Sequence, residues 1–280
     1  MTPSLSSAGK HMPYLSRIRI NPLRKASRRM LANPRDLHAA VVNAIPDHPT
    51  TERSLWRLDA DDPRRPHLVV LTQSRPDWNH LVEQAGWPEA DGEHFVIADY
   101  NPLLRRLRAG QEFAFRLTAN PVQNTRTPDK PTERQAQDDT VTARRRSYRL
   151  GHRTAAMQLR WFLTRTLKWG FDVPEAFTAE PAVDIDPHTT PEAETDSSLD
   201  QAPRDVRIIA RERRSFSKRD GKPPVVLSTV TFQGRLRVTD PELLTERLLA
   251  GIGPGKAYGC GLLTLAPLTK PSTGTGDARG

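Results

Sequence analysis

An α+β protein built from two successive units is what this sequence predicts, and three observations predict it. Short segments with period-two alternation recur along the chain, the mark of half-buried strands. Between them stand segments that carry helix start signals and a single apolar stripe. A polar stretch with three prolines, 121–140, separates two halves that each hold strands and helices.

The first half reads in order. Tyr14-Leu-Ser-Arg-Ile-Arg-Ile20 alternates apolar and polar residues and opens the unit as a strand. A basic loop follows. Asn33 is a good N-cap, Pro34 suits the first helical position, and Asp36 falls in the first turn. Leu37, Val41, Ala44 and Ile45 give that helix one buried stripe until Pro46 stops it. Strands are expected over Ser54–Leu58 and His67–Gln73, joined by the turn-rich Asp61-Asp62-Pro63, and a short helix over Trp78–Ala85. Gln111–Ala119, with Phe113, Phe115 and Leu117 alternating, is expected to close the unit. The order β-α-β-β-α-β is the ferredoxin-like pattern. A first domain is therefore placed at 14–120, with a linker at 121–140.

The second domain is placed at 141–268. It offers a long helix, Thr154–Trp169, and strands at Val206–Arg213, Val225–Thr231 and Gly234–Val238. Asp240 caps a helix with Pro241 at its first position, carrying Leu243, Leu244, Leu248 and Leu249 to about Ala250. Leu262-Leu-Thr-Leu265 is a final strand. The reading is a second, more irregular copy of the same unit, so two tandem ferredoxin-like domains. It rests on element order, because no internal repetition of sequence is visible.

Charge is more informative than length. The 280 residues hold 42 Lys+Arg against 33 Asp+Glu, a net +9. Residues 178–203 carry seven acids, four prolines and no Lys or Arg, and read as a disordered insertion. Setting them aside leaves 42 basic against 26 acidic residues, or +16. Basic residues gather in three acid-poor stretches: Tyr14–Arg35, Val141–Trp169 with Arg144, Arg145 and Arg146 in a row, and Arg204–Lys222. One such run is usually a solvated face, but three in one chain point to a polyanion such as RNA.

Other classes fall away. No apolar run approaches the ~20 residues a membrane span needs. Met1–Met12 is Ser/Pro-rich without an apolar core and does not read as a signal peptide, so a cytoplasmic location is expected. One cysteine, Cys260, leaves neither an internal disulfide nor a thiolate zinc cluster. The eight histidines show no zinc-enzyme spacing, no Gly-x-Ser-x-Gly elbow is present, and the carboxylates form no evident metal-holding set. No metal and no cofactor are expected.

Two features could carry chemistry. Five glycines lie in Gly251–Gly261, and Gly253, Gly255 and Lys256 are candidates for a backbone cradle around RNA phosphates. The alternative is a helix C-cap followed by a bulged turn. His38 lies just after the first basic stretch, three residues beyond Arg35 and near a helix N-terminus, where a phosphate is favoured. A lone helical histidine is more often structural than catalytic. Yet RNA can be cut when its own 2′-OH attacks the adjacent phosphorus, given a group to move protons and cations to meet the phosphorane. His38 can move a proton near neutrality, with Arg35, Lys25, Arg28 and Arg29 as the cations. DNA, lacking the 2′-OH, would be spared.

Several blocks together resemble the CasE-type CRISPR repeat-processing endoribonucleases. They are Tyr14-Leu-Ser-Arg-Ile-Arg-Ile-Asn-Pro22, Arg28-Arg-Met-Leu-Ala-Asn-Pro-Arg-Asp-Leu-His38, Phe115-Arg-Leu-Thr-Ala-Asn-Pro121, and Phe232-Gln-Gly-Arg-Leu-Arg-Val-Thr-Asp-Pro241 with the glycine loop running into Leu262-Leu-Thr-Leu-Ala-Pro267. The resemblance spans about Tyr14 to Leu268. It implies paired ferredoxin-like domains and metal-independent cleavage on the 3′ side of the repeat hairpin in precursor CRISPR RNA, leaving a 2′,3′-cyclic phosphate. It also implies retention of the product beside the other subunits of the Cascade complex, with no membrane partner. The family's catalytic histidine falls on His38. Some relatives carry a tyrosine three residues earlier, where this chain has Arg35, which stays charged and can stabilise a pentacoordinate phosphate but not donate a proton. By the same resemblance Arg211, Arg213, Arg214, Lys218, Arg219 and Lys222, around the turn signal Asp220-Gly221, look like the strand pair that meets the RNA stem. An exposed edge protected by charge is the other reading. A non-catalytic subunit that only binds the RNA hairpin is the alternative function.

Overall fold

Strand alternation and helix caps become two antiparallel sheets in the computed structural model, which describes residues 12–46, 53–125, 148–176, 203–216 and 225–268. The first sheet holds β1 (Tyr14–Arg19), β2 (Leu55–Asp59), β3 (His67–Thr72) and β4 (Phe95–Asp99), in the order β2-β3-β1-β4. Helices α1 (Lys25–Ala32), α2 (Pro34–Val42) and α3 (Asn79–Ala85) cover one face. Met30, Leu37, Val41, Leu81 and Val82 are buried there against Ile18, Trp56, Leu68 and Val70. The expected cap is present, with the Arg35 N–H donating to Asn33 Oδ1 at 3.0 Å.

Helix α1 occupies what reads as a loop in the sequence. It has no side-chain cap and no acid in its first turn, so local signals are missing. Tertiary contacts hold it: Ser27 Oγ donates to Ala85 O at 3.0 Å, and Met30 enters the core.

Helix α4 (Asn101–Arg106) leads into the second sheet. There β5 (Glu112–Ala119) begins a path completed, beyond the ribbon β6 (Val122–Thr125) and β7 (Tyr148–Gly151), by β8 (Phe171–Asp172), β9 (Val206–Phe216), β10 (Val225–Val238) and β11 (Leu263–Ala266). The order is β11-β5-β10-β8, with β9 also paired to β10. Helices α5 (Ala155–Leu163) and α6 (Pro241–Ala250) pack on this sheet's apolar face, where Phe115, Phe162, Phe171 and Phe232 meet. The architecture is mixed α+β.

Further expectations need correction. Gln111–Ala119 does not close the first unit: it pairs with β10 and β11, and β4 takes the vacant place beside β1. Phe95-Val-Ile-Ala98 lacks the alternation that would have announced that edge strand. Two strands expected over Val225–Val238 are one strand, with a register shift against β9 between Thr231 and Phe232. Helix Thr154–Trp169 ends at Leu163, and a 3₁₀ turn, Thr166–Trp169, closes on Gly170 at φ 84°. Within the expected linker, Val122–Thr125 is a strand. Residues 126–140 and 177–202, which hold the rest of the linker and nearly all of the acidic stretch, lie outside the described residues.

Strand β2 joins the two halves through its pleat. Trp56 faces the helix-covered core of the first sheet, while Leu55 belongs to the core of the second. Arg57 is 3% exposed. Its guanidinium donates to Arg116 O at 2.9 Å and Leu262 O at 3.1 Å across the seam, and grips Asp59 at 2.6 and 2.9 Å. Replacing Arg57 by Met leaves two carbonyls and a carboxylate without that donor set. Stability is expected to fall by about 2–3 kcal/mol, read by urea unfolding. A midpoint equal to wild type would show that the seam does not depend on this arginine.

Candidate active site

The candidate site forms where α2 meets the seam. His38, half-buried, projects from α2, and the indole Nε1–H of Trp56 donates to its Nδ1 at 3.4 Å. Trp56 is wedged from below by the glycine loop. Gly259 has φ +83°, and a Cβ there would stand 2.7 Å from the Trp56 ring. Only glycine suits both the left-handed backbone and that approach. The 3₁₀ turn Lys256–Tyr258, just before it, packs against α2.

The basic strand pair arrives from the other side. Phe216 at the end of β9 and Leu227 on β10 are buried with Cys260, and the Phe216 and Tyr258 rings meet edge-on at 4.9 Å. Arg214 pairs with Glu212 at 2.6 Å and reaches Leu31 O, at the end of α1, at 3.5 Å. A cleft of about 420 Å³ lies between the sheets here, lined by Trp56, Arg116, Glu212, Arg214, Tyr258 and Gly259 among others. His38, the end of α1, the foot of the strand pair and the glycine loop therefore converge.

The expected site residues divide into groups. Lys25, Arg28 and Arg29 are exposed on α1, and Arg35 is exposed one turn before His38. Arg29 pairs with Asp36 at 3.3 Å. Arg211 and Arg213 are exposed on β9, with Arg211 donating to Arg153 O. Arg144, Arg145, Arg146, Lys218, Arg219 and Lys222 lie outside the described residues.

The glycine loop caps a helix and packs closely, as the C-cap reading of it expects. Lys256 Nζ donates to Ala250 O at 2.5 Å, closing the carboxyl end of α6, where a cation suits the helix dipole. Burial, then the nearby Arg53 and Arg247 charges, lowers its pKa. Gly253 (φ +74°) lies over Trp161, and Gly255 (φ +85°) lies against Cys260 and Leu227. Packing accounts for these glycines. Burial pushes the Cys260 thiol up to about 12, which makes it a core side chain rather than a nucleophile. Among the described residues no three His, Cys, Asp or Glu side chains gather as a metal-binding group. No described helix is long and apolar enough to cross a membrane.

The chain is similar to known proteins over most of its length. A family model described as CRISPR associated protein matches residues 13–267. The CRISPR-associated endoribonuclease Cse3 of Thermus thermophilus is 30% identical over 257 residues, covering 91% of this chain and all of that protein. The chain belongs to the Cse3/CasE family of CRISPR endoribonucleases. A structure of Thermus thermophilus Cse3 bound to an RNA representing a pre-cleavage complex superposes with TM-score 0.64 at 28% identity, over 91% of this chain and 100% of that one. The Cascade subunit CasE of Escherichia coli is 46% identical over 64 residues, which are 23% of this chain and 31% of that protein.

In this Cse3/CasE member the sequence left Trp56 and Tyr258 unmarked. A tryptophan inside a buried strand carries no local sign that its N–H meets a histidine 18 residues away. Gly259→Ala should force the indole to move and strain the backbone, lowering stability by about 2 kcal/mol in urea unfolding. An unchanged midpoint would mean the loop is not wedged on Trp56.

Proposed function

We propose that this chain cleaves precursor CRISPR RNA on the 3′ side of the repeat hairpin without a metal ion, and stays bound to the product within Cascade. The 2′-oxygen attacks the adjacent phosphorus, the bond from phosphorus to the 5′-oxygen breaks, and a 2′,3′-cyclic phosphate is left. One proton leaves the 2′-OH and one is delivered to the 5′-oxygen. His38 carries one of these transfers. Arg35, which stays charged, stabilises the phosphorane with Lys25, Arg28 and Arg29 on the neighbouring helix. Arg211, Arg213 and Arg214 hold the stem through its phosphates. Two tandem ferredoxin-like domains supply the frame, a reading supported by the β2-β3-β1-β4 order of the first sheet.

One observation carries this reading: the helix that bears the half-buried His38 packs on the turn Lys256–Tyr258, whose Tyr258 ring meets Phe216 at the foot of a basic strand pair, and Arg214 of that pair reaches the end of α1. The RNA-bound states of Cse3 from Thermus thermophilus support the substrate class.

His38→Ala is expected to bind the repeat hairpin with wild-type affinity and to cleave it at least ~10²-fold more slowly in single-turnover assays. Unchanged cleavage would remove His38 from the mechanism; absent cleavage by the wild-type chain would leave a hairpin-binding subunit. Cleavage by the wild-type chain should persist in EDTA and give cyclic phosphate ends. A magnesium requirement would refute the metal-independent route.

A further inference from the structure

We propose that the cleft beside Trp56 is a subsite for one unpaired RNA base, that of the nucleotide following the repeat hairpin. This deepens the RNA-cleaving reading given above and rests on it. The cleft holds about 420 Å³, within the ~300–1,000 Å³ usual for small-ligand sites. Trp56 lines it, and the same indole donates to His38 at 3.4 Å. Tyr258 and Gly259 line it from the glycine loop. Arg214 lines it from β9, and its guanidinium also reaches Leu31 O at the end of α1. A single indole therefore belongs to both this cleft and the candidate active site.

A β-bulge furnishes one wall. On β9, Ala210 opposes Thr231 and Ile208 opposes Phe232, so Ile209 is an extra residue without an opposite number on β10. Ile208 packs on the core of the second sheet, whereas Ile209 lines the cleft and is 36% exposed. Bulges re-aim side chains in this way, and they recur beside active sites. Buried Leu227 adds apolar surface, as does the Tyr258 ring, which stands edge-on to Phe216 at 4.9 Å. Apolar and aromatic surfaces accept the face of an unpaired base.

The charges on the cleft cancel, which sets it apart from a phosphate-binding surface. Arg57 pairs with Asp59 at 2.6 Å, Arg116 with Asp61 at 2.8 Å and Arg214 with Glu212 at 2.6 Å. Arg211 and Arg213 are exposed on the same strand outside it. A phosphate gains more from that exposed pair, whereas an uncharged base loses nothing in a neutral slot. Hydroxyls are available for the polar edge of the base. Thr118 and Thr231 bond each other at 2.8 Å, but the Thr229 and Tyr258 hydroxyls have no hydrogen-bond partner among the described residues.

Bases within the hairpin are paired and stacked, so they cannot enter. Cleavage on the 3′ side of the hairpin puts the next nucleotide on the leaving 5′-oxygen, and that nucleotide is unpaired. Seated in the cleft, its base anchors the leaving oxygen beside the site.

Binding of a repeat hairpin RNA to the full chain tests this. A 2′-deoxyribose at the scissile nucleotide removes the attacking hydroxyl, so affinity is measured without cleavage. Deleting the base of the following nucleotide should weaken binding to wild type about 5- to 50-fold. A variant combining Ile209→Ala with Tyr258→Leu should bind the intact and abasic RNAs alike. Equal wild-type affinity for the two RNAs overturns the proposal, and so does a folded double variant that still tells them apart. An equal loss when the base is deleted two nucleotides further on overturns it too. If the double variant fails to fold, Ile209→Ala alone decides: its discrimination should shrink, and an unchanged one overturns the subsite. These outcomes do not depend on His38. A wild-type chain that cleaves the unmodified hairpin but binds both RNAs alike keeps the reaction and loses the subsite. One that discriminates without cleaving keeps the subsite and loses the reaction.

Discussion

Arg57 sets the constraint on which the rest depends. It stands on the edge strand of the first sheet, yet three of its guanidinium nitrogens are spent on Asp59 and on two carbonyls of the second sheet. A charge this deeply buried persists only when paired and hydrogen-bonded. Those bonds are directional, so they fix the register between the two sheets as well as their contact. Leu55 beside it adds apolar burial on the same side, and Trp56 takes the opposite one.

From that register the site follows. Because Arg57 faces the second sheet, the pleat turns Trp56 back toward α2, where its N–H meets His38. The glycine loop leaves the second sheet's helix α6 and returns into β11 by passing beneath the same indole. Its glycines are required by left-handed backbone and by close approach to Leu55, Trp56 and Ile252. A side chain of the first sheet is thus held by a loop of the second, and a histidine of the first is held by both.

Charge is arranged on top of this frame rather than inside it. Lys25, Arg28, Arg29, Arg35, Arg211 and Arg213 are exposed, where a polyanion can reach them. Arg57, Arg116 and Arg235 are committed to carboxylates: Arg57 to Asp59, Arg116 to Asp61 at 2.8 Å and Arg235 to Glu112 at 3.1 Å. Counting arginines along the chain does not separate these two uses, since burial decides which cation a polyanion can reach.

By itself the sequence determined the α+β class, most of the strands, the Asn33 cap, the family and the candidacy of His38. Each is written in local alternation, capping chemistry or a contiguous motif, which neighbours in the chain can express. Only the tertiary structure decided that Glu112–Ala119 belongs to the second sheet, that α1 is a helix, and that Lys256 serves α6. It alone brought Trp56 to His38. Pairing between strands far apart in the chain, and the direction of one N–H, depend on which surfaces bury each other, and no window of neighbouring residues encodes that choice.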